Sequence, residues 1–319
     1  MYETVIELLC ESIKFILPNR AELIDMSELR QAHVDMARLP YPVVVLEATW
    51  TFADGRGGSK QGGERSTKRI ALCMTLTAEL AERIPGTKAF LDEAEGGVLT
   101  IPISWGDAEG RWRLPLGGVF FPYQNKATDY VPGEACPVTR MAGERVIDLG
   151  VSTKQLKTFR ALPFNLIPSV VHAGSGYSEQ QIAALIMEDS RDEIAMLLQA
   201  CIVLNCSNVT AAKVQAPTAL NKKRLAKGKQ PFFDYRVLQV GGPRARSGQD
   251  GGGHHASPQS HLRRGHIRRL KGRSVWVRPT VSMLGKGVAW STKGMPCERL
   301  LRRPSEDCER GQFLSSLGG

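Results

Sequence analysis

Apolar residues recur at helical spacing at the start of the chain, at Val5, Leu8, Leu9, Ile13 and Ile16, and Pro18-Asn19 follows them. The spacing predicts a helix over 3–17. A second, shorter helix is expected over 27–37, with Ser27 as its N-cap. After Leu39-Pro40-Tyr41-Pro42 the pattern changes to β-branched and aromatic residues over 43–52, which reads as a strand. Further strands are expected at 69–74, 98–105, 111–121 and 145–149. Trp105 and Trp112 flank Gly106-Asp107-Ala108-Glu109-Gly110, a hairpin turn. The Gly-rich segment 54–66 has neither a P-loop nor a dinucleotide spacing and leads into a strand, so it reads as a hairpin loop.

The longest helical pattern opens at Ser178. Ser178-x-x-Gln181 is a capping box, and Ile182, Leu185, Ile186, Ile194, Leu197, Leu198, Cys201, Ile202 and Leu204 follow in register until Asn205. Glu188, Asp189, Asp192 and Glu193 interrupt it or form its solvated side; a divalent-cation site is the alternative reading. A short strand over 209–214, a basic helix or loop over 221–229 and a strand over 232–240 come next. After Gly265 the alternation fits a hairpin, with His266–Leu270 as one strand, Lys271-Gly272-Arg273 as the turn and Ser274–Thr280 as the other. The expected fold is α+β: an antiparallel sheet packed with helices, carrying a basic C-terminal hairpin module. The expected division is a scaffold over 1–175, a long helix and His/Arg-rich hairpin module over 176–288, and a disordered tail over 289–319.

Charge sharpens this picture. The chain of 319 residues carries a net +10, and the excess is local. Residues 213–279 hold sixteen Lys and Arg against Asp234 and Asp250, whereas residues 1–212 are net acidic. Such an asymmetry points to an anionic partner. Seven cysteines without a close C-x-x-C pair suggest reduced thiols rather than a disulfide framework. No apolar run reaches the roughly 18 residues of a membrane span, and Met1-Tyr2-Glu3-Thr4 lacks the positive start of a signal peptide. An intracellular protein that makes no membrane contact is expected.

The chemistry concentrates in 254–280, which has no acidic residue and holds four of the six histidines. Arginine grips phosphate with two parallel N–H groups and stacks on bases, and Trp276 offers a stacking surface. The residues expected to bind nucleic acid, RNA or DNA, are Lys222, Lys223, Arg224, Arg263, Arg269, Arg273, Trp276 and Arg278. His261 and His266 can serve as a general acid/base pair in metal-independent RNA cleavage, with Arg264 and Arg268 stabilising the phosphorane. Zinc on His254, His255, His261 and His266 has no recognised spacing and no nearby thiol or carboxylate, so neither a metal nor another cofactor is expected. A third reading is an inhibitor whose basic face occupies the nucleic-acid channel of a host enzyme.

Several segments resemble a family of uncharacterised proteins from tailed phages and prophages. They are Leu39-Pro40-Tyr41-Pro42, Thr67-Lys68-Arg69-Ile70-Ala71-Leu72, Asn221-Lys222-Lys223-Arg224, Phe233-Asp234-Tyr235-Arg236-Val237-Leu238 and His255-Ala256-Ser257-Pro258. The most specific block is His261-Leu262-Arg263-Arg264-Gly265-His266-Ile267-Arg268-Arg269, followed by Val275-Trp276-Val277-Arg278-Pro279. The resemblance spans most of 39–281 and implies a phage context, in the cytoplasm of an infected bacterium, but no reaction. It stops after about residue 288, where a shifted frame, a recombined end or a native tail would each explain the polar continuation.

Overall fold

In the computed structural model the first apolar segment is split at Ser12. The structure describes residues 1–24, 26, 29–51, 59–61, 64–84, 86–129, 146–149, 157–167, 176–240, 261–263, 266–277 and 280–282. Helix α1 (Tyr2–Glu11) ends where Ser12 turns extended, at ψ 152°, and strand β1 (Ile13–Ile16) follows. Ser12 Oγ donates to the Leu9 carbonyl at 2.8 Å, and Lys14 Nζ donates to the carbonyls of Ser12 and Cys10 at 3.0 and 3.4 Å. These bonds satisfy carbonyls that a helix end leaves open. The helix expected over 3–17 is therefore corrected to a helix and a strand.

Helix α2 (Gln31–Val34) is shorter than the span expected over 27–37. Strand β2 (Val43–Thr49) comes next, and β3 (Ser59–Gln61) and β4 (Glu64–Ser66) pair within the Gly-rich segment. After β5 (Lys68–Thr75), helix α3 (Ala78–Arg83) starts at Thr77, whose side chain accepts the Leu80 N–H. The pattern gave no sign of α3. Strands β6 (Gly97–Gly106) and β7 (Arg111–Arg113) place Trp105 opposite Trp112, with ring centroids 5.5 Å apart. Pro115 lies between β7 and β8 (Gly117–Pro122), where one strand over 111–121 was expected.

Strands β9 (Thr128–Asp129), β10 (Val146–Leu149) and β11 (Lys157–Arg160) form a small sheet, and β12 (Leu162–Asn165) follows. The capping box forms at Ser178, but the long helix is two helices, α4 (Glu179–Asp189) and α5 (Arg191–Leu204), meeting at Ser190. Strand β13 (Val209–Val214), helix α6 (Thr218–Ala226) and strand β14 (Tyr235–Val240) come next. The last elements are β15 (His261–Arg263), β16 (His266–Leu270), β17 (Arg273–Val277) and β18 (Thr280–Ser282).

The main sheet runs β12-β8-β6-β5-β2-β1-β14-β13, with β7 added to β6. It is antiparallel except around β1, which pairs parallel to both β2 and β14. Its strands come from either side of residue 175. Helices cover both faces. In β5, Ala71 and Cys73 face α4 and α5, while Leu72 and Met74 face α1 and α3. Helix α5 is buried almost all round, from Glu193 to Val203, with only Ala195 partly exposed. The sheet lies on one side of it. On the other, Gln199 Oε1 accepts the backbone N–H groups of Leu23 and Ile24, at 2.9 and 3.2 Å. The architecture is α+β, a large and mostly antiparallel sheet between helices. By density of internal contacts, residues 1–252 and 262–281 form one unit; of the second, 253–261 with 282–319, only the strand ends His261 and Ser282 are described. The expected tail over 289–319 lies outside the described residues. Among the described residues no helix is long and apolar enough to cross a membrane.

Candidate functional site

The basic hairpin forms where the alternation places it, but its turn has two residues rather than three and its second strand runs Arg273–Val277 rather than Ser274–Thr280, Thr280 belonging to β18. His266 pairs with Val277, Ile267 with Trp276, Arg268 with Val275, Arg269 with Ser274 and Leu270 with Arg273. Lys271-Gly272 makes the turn, and Gly272 has φ 77°, the left-handed conformation that a two-residue hairpin turn requires. One face is docked. Ile267 packs on the cluster of Val203, Cys206, Val209 and Leu238. Arg269 Nη2 donates to the Ala32 carbonyl at 2.7 Å, and Ser207 donates both N–H and Oγ–H to the Ser274 carbonyl. The other face leaves Arg268, Leu270 and Arg273 exposed.

Register settles part of the expected constellation. Val277 and Val275, rather than an arginine, stand opposite His266 and Arg268. Trp276 stands opposite Ile267, the docked residue of β16. His261 and Arg263 lie in β15, which pairs with β18, so His261 and His266 belong to different ladders. Arg264, Arg278, His254 and His255 lie outside the described residues.

The second basic cluster is α6 and the turn after it. No residue of α6 is buried. Asn221 holds Phe232 from both sides: its Oδ1 accepts the Phe232 N–H at 2.7 Å and its Nδ2 donates to the Phe232 carbonyl at 2.9 Å. Arg224 Nε donates to the Gln230 carbonyl at 2.8 Å, and its guanidinium lies 4.4 Å from the Phe232 ring centroid. Arg224 is thus engaged by the turn after its own helix, and Arg269 by the Ala32 carbonyl of α2. Lys222 and Lys223 are exposed on the opposite side of α6, with Lys227 and Lys229 beyond its end.

The two clusters lie at opposite ends of the β13–β14 pair. Ser207, which anchors the hairpin, precedes β13 at the Val209↔Val240 end, and α6 follows the Val214↔Tyr235 end. Six residues of strand separate them by about 17 Å. Among the described residues, Lys222, Lys223, Lys227, Lys229, Arg268, Lys271 and Arg273 have no carboxylate partner, whereas Lys213 pairs with Asp234 at 2.7 Å.

Two other polar places differ in kind. An open cleft of about 1140 Å³ is lined by Gln31, Arg38, Tyr123, Asn125 and Arg160, among others. Its arginines are matched, Arg38 with Glu95 and Arg160 with Glu93, so it holds no excess charge for an anion. The acidic run at the start of α5 is not a solvated side. Glu193 is fully buried and Arg69 nearly so, with Nη1 2.7 Å from Glu193 Oε1 and 3.3 Å from Asp192 Oδ2. The cation beside these carboxylates is a guanidinium. A signal was present in the sequence: Glu193 falls four residues before Leu197 on the apolar stripe, and Arg69 alternates with Ala71 and Cys73.

No family model, no curated protein and no solved structure matches the chain.

Proposed function

We propose that this protein binds nucleic acid through the exposed basic side chains of α6 and of the β16–β17 hairpin, in the bacterial cytoplasm during phage growth. The observation that carries the reading is the placement of charge. Seven of the sixteen Lys and Arg of 213–279 are exposed and have no carboxylate partner among the described residues: Lys222, Lys223, Lys227, Lys229, Arg268, Lys271 and Arg273. Each such side chain set against a phosphate releases a condensed counterion, so affinity falls with salt in proportion to the number of contacts. The outer hairpin face, with Arg268 and Arg273, and the outer side of α6, with Lys222 and Lys223, are the phosphate-facing surfaces in this reading.

The test is binding of labelled RNA and DNA in EDTA at several salt concentrations. The wild type is compared with a variant carrying Lys222→Ala, Lys223→Ala, Arg268→Ala and Arg273→Ala. The wild type binds with a steep salt dependence, and the variant loses about three units of slope if all four side chains touch phosphate. No binding at low salt sinks the reading and directs attention to a host protein. Cleavage in EDTA that disappears in His266→Ala would make the surface that of a ribonuclease using His261 and His266.

A further inference from the structure

Among the described residues, Phe232 is a large aromatic side chain that folding leaves exposed, a few residues after Lys227 and Lys229, which have no carboxylate partner. It is 41% exposed and belongs to none of the buried apolar clusters. Its neighbour Phe233 turns the other way and takes the buried Lys14 ammonium 4.0 Å from its ring centroid. Yet Phe232 is held firmly. Asn221 fixes its backbone through two hydrogen bonds, and Arg224, itself tied to the Gln230 carbonyl, lies over its ring. An exposed ring with a guanidinium stacked on it is a platform that one more flat, electron-rich ring can extend. Lys227 and Lys229 follow Arg224 at the end of the helix and add positive charge there, while Lys222 and Lys223 lie on its opposite side.

We infer that the α6–Phe232 surface takes single-stranded nucleic acid, stacking a base on the Phe232–Arg224 pair while Lys227 and Lys229 face the backbone. This rests on the nucleic-acid reading above and narrows it. A duplex keeps its base faces stacked inside, so it can use the lysines but not the ring; a single strand can use both. A membrane surface fits less well. Leu220 and Leu225 are exposed, at 45% and 60%, but five positions apart they point about 140° away from each other. They flank the side of α6 that carries Asn221 and Arg224, and the outward side carries Lys222 and Lys223 between Ala219 and Ala226. An interfacial helix needs one continuous apolar face, and α6 has none.

The experiment is fluorescence anisotropy of the full chain with a labelled oligo-dT single strand and with a duplex of equal length, over a salt series. The proteins are wild type, Phe232→Ala, Phe232→Leu and Phe232→Tyr. Phe232→Leu keeps an apolar side chain without the flat face, and Phe232→Tyr keeps the face. The wild type is expected to favour the single strand. Phe232→Ala and Phe232→Leu lose about tenfold or more on the single strand, the worth of one stacked base. Their salt slope and their duplex affinity stay the same, and Phe232→Tyr binds like wild type. Salt-dependent binding of both nucleic acids that ignores all three substitutions overturns this inference and leaves the broader reading standing. Equal losses on duplex and single strand also overturn it. Absence of binding to either, with capture by anionic phosphatidylserine vesicles, overturns both.

Discussion

Arg69 and Glu193 meet 124 positions apart in sequence, Nη1 to Oε1 at 2.7 Å, with side chains 2% and 0% exposed. The pair joins the middle of the main sheet to the first turn of α5. Burial pushes the Glu193 carboxyl up to about 7 against the attraction of Arg69, and burial pushes Asp189 up to about 6. A carboxyl whose folded pKa is raised binds its proton more tightly in the native state. Its stabilising contribution is complete below the unfolded value and is lost as pH rises through the folded one. The urea midpoint is therefore expected to fall between pH 5 and pH 7 by more in the wild type than in Glu193→Gln. Parallel profiles for the two proteins would contradict this.

Removing one partner of a buried pair leaves the other charge without compensation. Arg69→Met is expected to lose about 3–5 kcal/mol at pH 8. The loss shrinks at pH 5, where Glu193 can take up a proton. The double variant Arg69→Met/Glu193→Leu should recover much of it, since an apolar pair of similar volume removes both desolvation penalties. Urea titrations of the three variants at both pH values check the ordering.

At Gly117 the chain has no room for a side chain. A Cβ there would lie 2.1 Å from the Phe164 carbonyl and 2.5 Å from Ile186 Cδ1. The Phe164 carbonyl belongs to the backbone of the paired strand and cannot swing aside, whereas the tip of Ile186 from α4 can shift. Gly117→Ala is expected to destabilise by about 1–3 kcal/mol, the usual range for overpacking, and calorimetry would show a lowered Tm. Gly110→Ala serves as the comparison, because nothing lies within 4 Å of its Cβ position, although its φ of 64° adds some strain of its own.

The hairpin is held to the body by Ile267, Arg269 and Ser207. Ile267 is half-buried, so Ile267→Ala should remove about 1–2 kcal/mol, less than a fully buried isoleucine would. Its effect is expected to be local. Hydrogen exchange should quicken at the amides of 266–277 and stay slow in β5 and β6, which lie between neighbours in the main sheet. Uniform acceleration across the chain would show instead that the hairpin is part of the global folding unit.

What could be read in advance was whatever depends on local pattern. The capping box at Ser178, the strands β2, β5 and β6 and the existence of the β16–β17 hairpin follow from spacing and turn chemistry, but the register across its turn does not. Ile13-Lys14-Phe15-Ile16 did not, because a short apolar run fits either period, and its pairing partners lie about 30 and 220 residues away. The same holds for the candidate surface. Lys222 and Lys223 are exposed, as a charged run suggests, but Arg224 and Arg269 turn to carbonyls that only the folded chain brings near. Phe232 opens the strand expected over 232–240, but the strand begins at Tyr235 and leaves Phe232 before it, since an exposed ring and a buried one look alike in a sequence.

Strand β1 has a consequence for the chain as it leaves the ribosome. It is made long before the neighbour on its outer side, β14, which begins at Tyr235. At ordinary elongation rates that interval is roughly ten to forty seconds. Throughout it the edge of Lys14, Phe15 and Ile16 that β14 later fills is open, the kind of template on which a second nascent chain can pair. Chains produced side by side on one message would meet this hazard at the same stage. A factor that shelters the emerging β1 segment should raise the soluble yield more than any change at the β16–β17 hairpin.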